Sequence, residues 1–185
     1  MKRACVFMAN GTEECEALLT VDILRRAGVE VVTASVNQKP EILSSHNVRM
    51  DTDAIAADIQ AADFDLVMLP GGMPGTLNLK ENDFVKAVCQ QAAAAGKLVA
   101  AICAAPSALA AFGLLEGKKA TAYPSFTDQL AGATVVKEPV VEDGDIITGW
   151  GLGASIPFSL ALVRRLCGAD AAEAVRQAIG YPYGF

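Results

Sequence analysis

Residues 96–106 read Gly-Lys-Leu-Val-Ala-Ala-Ile-Cys-Ala-Ala-Pro, and their reading decides the fold. The apolar run from Leu98 to Ile102 has the length of a buried strand and stops abruptly at Cys103. Small residues and Pro106 then open an alanine-rich helical segment that ends at Gly113. A cysteine at a strand-to-helix turn sits at the positive end of a helix dipole, with free backbone N–H groups nearby. That arrangement activates a sulfur nucleophile. The dipole favours a nearby anion by about 0.3–1 kcal/mol, and by about 2 when partly buried, enough to take a thiol from about 8.5 to about 7.

Outward from this stretch, strands and helices alternate. Residues 3–9 read as a strand, and Asn10-Gly11-Thr12 as a loop whose threonine caps the next helix. In that helix Leu18, Val21 and Leu24 recur at helical spacing, with Glu13, Glu14 and Glu16 early, Arg25 and Arg26 late, and Gly28 as the stop. Residues 29–36 are β-branched and strand-like, 41–43 and 48–50 suit a short side hairpin, and 65–69 form another apolar strand. A helix over about 82–95 stops at Gly96, and strands are expected at 119–123, 134–142 and 145–149. Gly-Leu-Gly-Ala (151–154) leads into a helix carrying Ile156, Leu160, Val163 and Cys167 on one face, and a last helix covers about 170–179.

This alternation predicts an α/β architecture, a mostly parallel sheet with helices on both faces. Ligands in such sheets bind outside the carboxyl ends of the strands. The exit of the first strand (10–16), the loop Pro70-Gly71-Gly72-Met73-Pro74-Gly75 and Cys103 all lie at carboxyl ends, so three chemically rich turns converge on one edge.

Composition narrows the function classes. The chain has 185 residues, 52% of them apolar, which suits a single domain over 1–185 with a full core. Its apolar stretches fall short of a membrane span, and the short basic-then-apolar start meets Glu13 and Glu14 too soon for a signal peptide. A net charge of −6 and a pI of about 4.8 argue against a broad nucleic-acid or anionic-membrane surface. The pairs Arg25–Arg26 and Arg164–Arg165 read as complements to two helix C-termini. The five cysteines are odd in number and lack C-x-x-C spacing, so reduced thiols and a cytoplasmic location follow. Four of them lie in apolar-periodic segments as small hydrophobes, and Cys103 alone sits at a turn.

The only histidine, His46, lies in a Ser-Ser-His-Asn turn and reads as a surface residue, which leaves a Cys-His-Asp triad without its usual base. No His/Cys cluster has ligand spacing, so neither a metal nor a cofactor is expected. Among the glutamates, an ionised side chain beside the sulfur would raise the thiol pKa, whereas a buried, protonated one would donate to it. Glu13 and Glu14 read as helix N-terminal charges, and Glu16 stays open between the two roles. Gly71 and Gly72 suit either a tight turn or a pair of N–H groups aimed at an oxyanion.

Leu-Pro-Gly-Gly (69–72), Ala-Ala-Ile-Cys-Ala-Ala-Pro (100–106) and Gly-Thr-Glu-Glu-Cys-Glu (11–16) together resemble the DJ-1/ThiJ/PfpI superfamily in its DJ-1-like branch. Asp22-Ile-Leu-Arg-Arg-Ala-Gly28 and the turn at 151–155 match in order and spacing, so the resemblance covers nearly the whole chain. It implies a flavodoxin-like three-layer sandwich, a homodimer, Cys103 as the cysteine of a nucleophile elbow, and a protonated Glu16 hydrogen-bonded to it. The backbone at Gly71, Gly72 and Ala104 would form the oxyanion pocket. Several branches place a histidine where this chain has Tyr123, in Thr121-Ala122-Tyr123-Pro124; a phenol is a poor base at neutral pH but a fair donor. The resemblance implies a glyoxalase or deglycase acting on small carbonyl compounds. Its rivals are a redox sensor working through Cys103 sulfinate and a redox-regulated chaperone.

Overall fold

The computed structural model describes residues 1–184. A seven-stranded sheet is built from β1 (Arg3–Met8), β2 (Glu30–Ser35), β5 (Ala54–Ile55), β6 (Leu66–Leu69), β7 (Leu98–Ile102), β10 (Val140–Asp143) and β11 (Ile146–Gly149), in the order β10-β11-β7-β6-β1-β2-β5. Every pairing in it is parallel except the β10–β11 hairpin at one edge. The side hairpin is β3 (Glu41–Leu43) with β4 (Arg49–Asp51), and β8 (Lys119–Ala120) pairs with β9 (Thr134–Val135).

Helices cover both faces, which is why β7 is an unbroken apolar run and not an alternating one. Cys5, Phe7, Val67, Leu69, Val99 and Ala101 pack toward α3 (Asp83–Ala94) and α4 (Pro106–Ala111). Ala4, Val6, Met8, Met68, Ala100 and Ile102 pack toward α1 (Glu14–Arg26), α5 (Ser155–Cys167) and α6 (Ala169–Ala178). The Asn82 side chain caps α3 by accepting the Val85 N–H at 3.0 Å. Arg25–Arg26 and Arg164–Arg165 occupy the last turns of α1 and α5. No helix among the described residues is long and apolar enough to cross a membrane.

Several expectations shift. Thr12 does not cap α1: its hydroxyl accepts the Ala9 N–H at 3.0 Å and closes the turn after β1, so the helix starts after Glu13. The inner stripe of α1 is Glu16, Ala17, Thr20, Val21, Ile23 and Leu24, which leaves Leu18 46% exposed. The same rotation exposes Cys15, while Cys5 and Cys89 are buried as expected. The strand expected over 119–123 ends at Ala120, and Pro124–Gln129 form a 3₁₀ turn. Residues 134–142 divide into β9 and β10 around Pro139. The short helix α2 (Gly75–Lys80) and β5 had no counterpart in the sequence reading, being too brief for a periodic signal.

Candidate active site

β1, β6 and β7 are neighbours in the sheet, so the turns that leave their carboxyl ends meet. They bring Glu16, Gly71 and Cys103 together. A Cβ added to Gly71 would lie 2.6 Å from both Cys103 Cβ and Glu16 Oε2.

Cys103 follows the last residue of β7 in a left-handed conformation, φ 64°. Such a backbone costs on the order of 1–3 kcal/mol in a non-glycine residue and persists only where neighbours hold it. Here both flanking peptides are held. The Cys103 N–H donates to Gly149 O at 3.0 Å, and Cys103 O accepts the Tyr123 N–H at 2.8 Å. This second bond explains why the chain leaves the β ladder after Ala120: Tyr123 is drawn to the elbow, and Pro124 starts a turn.

Glu16 is fully buried. Its backbone is held within α1, where Thr20 Oγ1 donates to the Glu16 main-chain carbonyl at 2.8 Å and Ser159 of α5 donates to Thr20 at 3.0 Å. Oε2 accepts the Gly71 N–H at 2.8 Å, and Oε1 is buried with no hydrogen-bond partner by distance and angle among the described residues. Burial pushes this carboxyl up to about 7, against the opposing pull of the Cys103 thiol and the Gly71 N–H. The Cys103 thiol is pushed up to about 12, first by burial and then by the Glu16 carboxylate, while the N–H groups of Ala104 and Gly72 pull it down. The dipole expectation is therefore reversed: burial of the thiol, reinforced by the Glu16 carboxylate, outweighs about 2 kcal/mol of dipole.

The expected pair of oxyanion donors changes as well. Gly71 gives its N–H to Glu16 and has none left for a substrate oxygen, whereas the Gly72 and Ala104 N–H groups face the sulfur. Gly72 has φ 91°, and a Cβ there would collide with the backbone of Glu13 and Gly11. The Tyr123 ring stands at the rim, 49% exposed. Gly149 and Gly151 were read only as a strand end and the start of a turn, not as neighbours of Cys103. The signal was available, because 145–149 read as a strand and its carboxyl end belongs to the same edge.

His46 is exposed in its turn yet engaged: Nδ1 lies 3.1 Å from Glu14 Oε1 and 3.4 Å from Glu13 Oε2. Ser45 Oγ donates to Glu13 Oε2 at 3.0 Å, so the group ties the β3–β4 hairpin to the start of α1. Glu13, Glu14 and His46 bring ligand-type atoms within 4.8 Å of one another, a cluster that linear spacing did not reveal.

The sequence profile of the DJ-1/PfpI family matches residues 2–165. "Protein DJ-1 homolog B" of Arabidopsis thaliana is 42% identical over 176 residues, which are 94% of this chain and 40% of that protein. The chain thus spans less than half the length of that relative. "Glutathione-independent glyoxalase DJR-1.2" of Caenorhabditis elegans is 29% identical, over 85% of this chain and 84% of its own length. The solved structure of Toxoplasma gondii DJ-1, described as oxidized, superposes with a TM-score of 0.95 at 35% identity, covering 99% of this chain and 100% of the other. These structural neighbours carry the flavodoxin-like sandwich of DJ-1 proteins.

Proposed function

This chain belongs to the DJ-1/PfpI family, and from that premise we propose that it is a cysteine-dependent enzyme acting on reactive dicarbonyls or their early glycation adducts. It works as one domain over 1–185, as a homodimer in the cytoplasm. The observation that carries the reading is the Cys103–Glu16 pair: a carboxyl that keeps its proton up to about pH 7, set against a sulfur faced by the N–H groups of Ala104 and Gly72. A relative named as a glyoxalase supports the substrate class.

As ionised Glu16 takes the thiol proton, the Cys103 sulfur adds to the aldehyde carbon of methylglyoxal and forms a C–S bond. The aldehyde oxygen becomes an alkoxide, is stabilised by the Gly72 and Ala104 N–H groups, and takes the Glu16 proton to give a hemithioacetal. Glu16, now ionised, removes the hydrogen from that carbon as a proton and returns it to the neighbouring carbonyl carbon, while the hydroxyl proton passes to the second oxygen. The first carbon is oxidised to a thioester and the second is reduced to an alcohol, so no external oxidant is needed. Water cleaves the thioester to lactate and restores the thiol. Gly71 acts as a positioning residue through its bond to Glu16.

Reduced protein and its Cys103→Ala variant are to be compared for methylglyoxal loss and lactate appearance. Turnover confined to the wild type supports the reading, and equal rates in the two overturn it. A second reading is favoured by the same two N–H groups, which suit sulfinate oxygens. Two equivalents of peroxide would take the Cys103 thiolate to sulfinate with release of two waters. It is contradicted if mild peroxide oxidises the exposed Cys15 first and leaves Cys103 unmodified.

A further inference from the structure

A pocket of about 360 Å³ opens beside the nucleophile, lined by Tyr123, Pro139, Trp150, Leu152 and the glycine-rich turn between β11 and α5. Gly151 is shared between this lining and the surroundings of the sulfur: a Cβ added to it would lie 3.9 Å from Cys103 Sγ and 3.3 Å from Tyr123 Cδ2. A side chain at 151 would crowd the Tyr123 ring. The lining carries no charged side chain, and Leu152 is 52% exposed although it is apolar. A cavity of about 150 Å³ already admits benzene, so an aryl ring fits with room to spare. Trp150 and Tyr123 offer π faces to such a ring, whereas a charged substituent would lose water without gaining a partner.

Building on the glyoxalase reading, we propose that this pocket holds the non-reacting end of the substrate and selects carbonyl compounds with an uncharged apolar, above all aromatic, substituent. An arylglyoxal placed with its ring against Trp150 and Leu152 puts its aldehyde carbon at Cys103. The small methyl group of methylglyoxal leaves the pocket unfilled.

Two measurements test this. The first is the ratio of kcat/KM for phenylglyoxal to that for methylglyoxal, expected to be at least about 10 in the wild type, given what a few buried carbons contribute to discrimination. It should fall toward 1 in Leu152→Asp. The second does not depend on catalysis. Trp150 is the chain's sole tryptophan and also lines a neighbouring pocket with Thr121 and Lys137, so a change in its emission is assigned by comparison with Leu152→Asp. Titrating 1-phenylethanol into Cys103→Ala should give a saturable change in emission that 2-propanol does not, and adding Leu152→Asp should abolish it. Saturable binding without turnover of any glyoxal would keep the pocket and remove the glyoxalase reading. Methylglyoxal turnover with no aryl preference and no saturable change would overturn the pocket and spare the enzyme. An emission change that follows protein concentration and ignores ligand would assign the patch to a second copy of the chain, and would also overturn the proposal.

Discussion

Gly71 donates its backbone N–H to Glu16 Oε2 across 2.8 Å, while the other oxygen of that carboxyl is buried and, among the described residues, meets no donor by distance and angle. Burial outweighs the pull of the Cys103 thiol and the Gly71 N–H, so the neutral acid is the favoured form until about pH 7. The glycine loop after β6 therefore sets the place of the acid beside Cys103, and burial sets its charge.

A pH dependence of stability follows. Glu16 has a folded-state pKa raised from 4.5 to about 7, so its contribution is fully present below pH 4.5 and is lost as pH rises through 7. At about 1.4 kcal/mol per unit, the loss is on the order of 3 kcal/mol. Urea unfolding at pH 4.5 and pH 8 should show this decline in the wild type, and a much flatter profile in Glu16→Gln. An identical slope in both proteins would contradict the assignment.

Gly71→Ala tests the packing of the pair. The added Cβ would meet Cys103 Cβ and Glu16 Oε2 at 2.6 Å and Ile102 O at 3.1 Å, and Cys103 is locked by its backbone bonds. A cost of about 1–3 kcal/mol is expected, read as a Tm drop of about 3–10 °C, together with loss of turnover. An unchanged Tm would show that the pair can separate.

Tyr123→His would supply the base that this chain lacks at the rim. The Tyr123 anchor to Cys103 O is a backbone bond, so the exchange leaves the elbow intact. Turnover of methylglyoxal should rise about tenfold, with a new inflection near pH 6.5 in kcat/KM. No gain and no inflection would mean that Glu16 alone handles the proton transfers.

The elbow was legible because an apolar run that ends at a cysteine and restarts as a helix has few other readings. The convergence of three turns followed from the alternation of strands and helices, which puts all three at carboxyl ends. Glu16 was harder to place. Val21 and Leu24 face inward as expected but Leu18 does not, and only the observed stripe through Glu16, Thr20 and Leu24 shows a carboxyl turned into the core. That the Gly71 N–H is committed to Glu16 was beyond reach, because residues 55 apart give no local signal. The same holds for the Glu13–Glu14–His46 cluster and for the Tyr123 anchor, both made by chain segments that meet only in the fold.

The sharpest test is Glu16→Gln measured two ways on one preparation: alkylation of Cys103 by iodoacetamide at pH 8, and lactate formation from methylglyoxal. Glutamine keeps an N–H donor near the sulfur and removes the carboxylate that pushes the thiol up. The expected result is alkylation at least as fast as in the wild type, with lactate formation reduced by a factor of about 10²–10⁴. Slower alkylation, or undiminished lactate formation, would contradict a shared proton between Glu16 and Cys103.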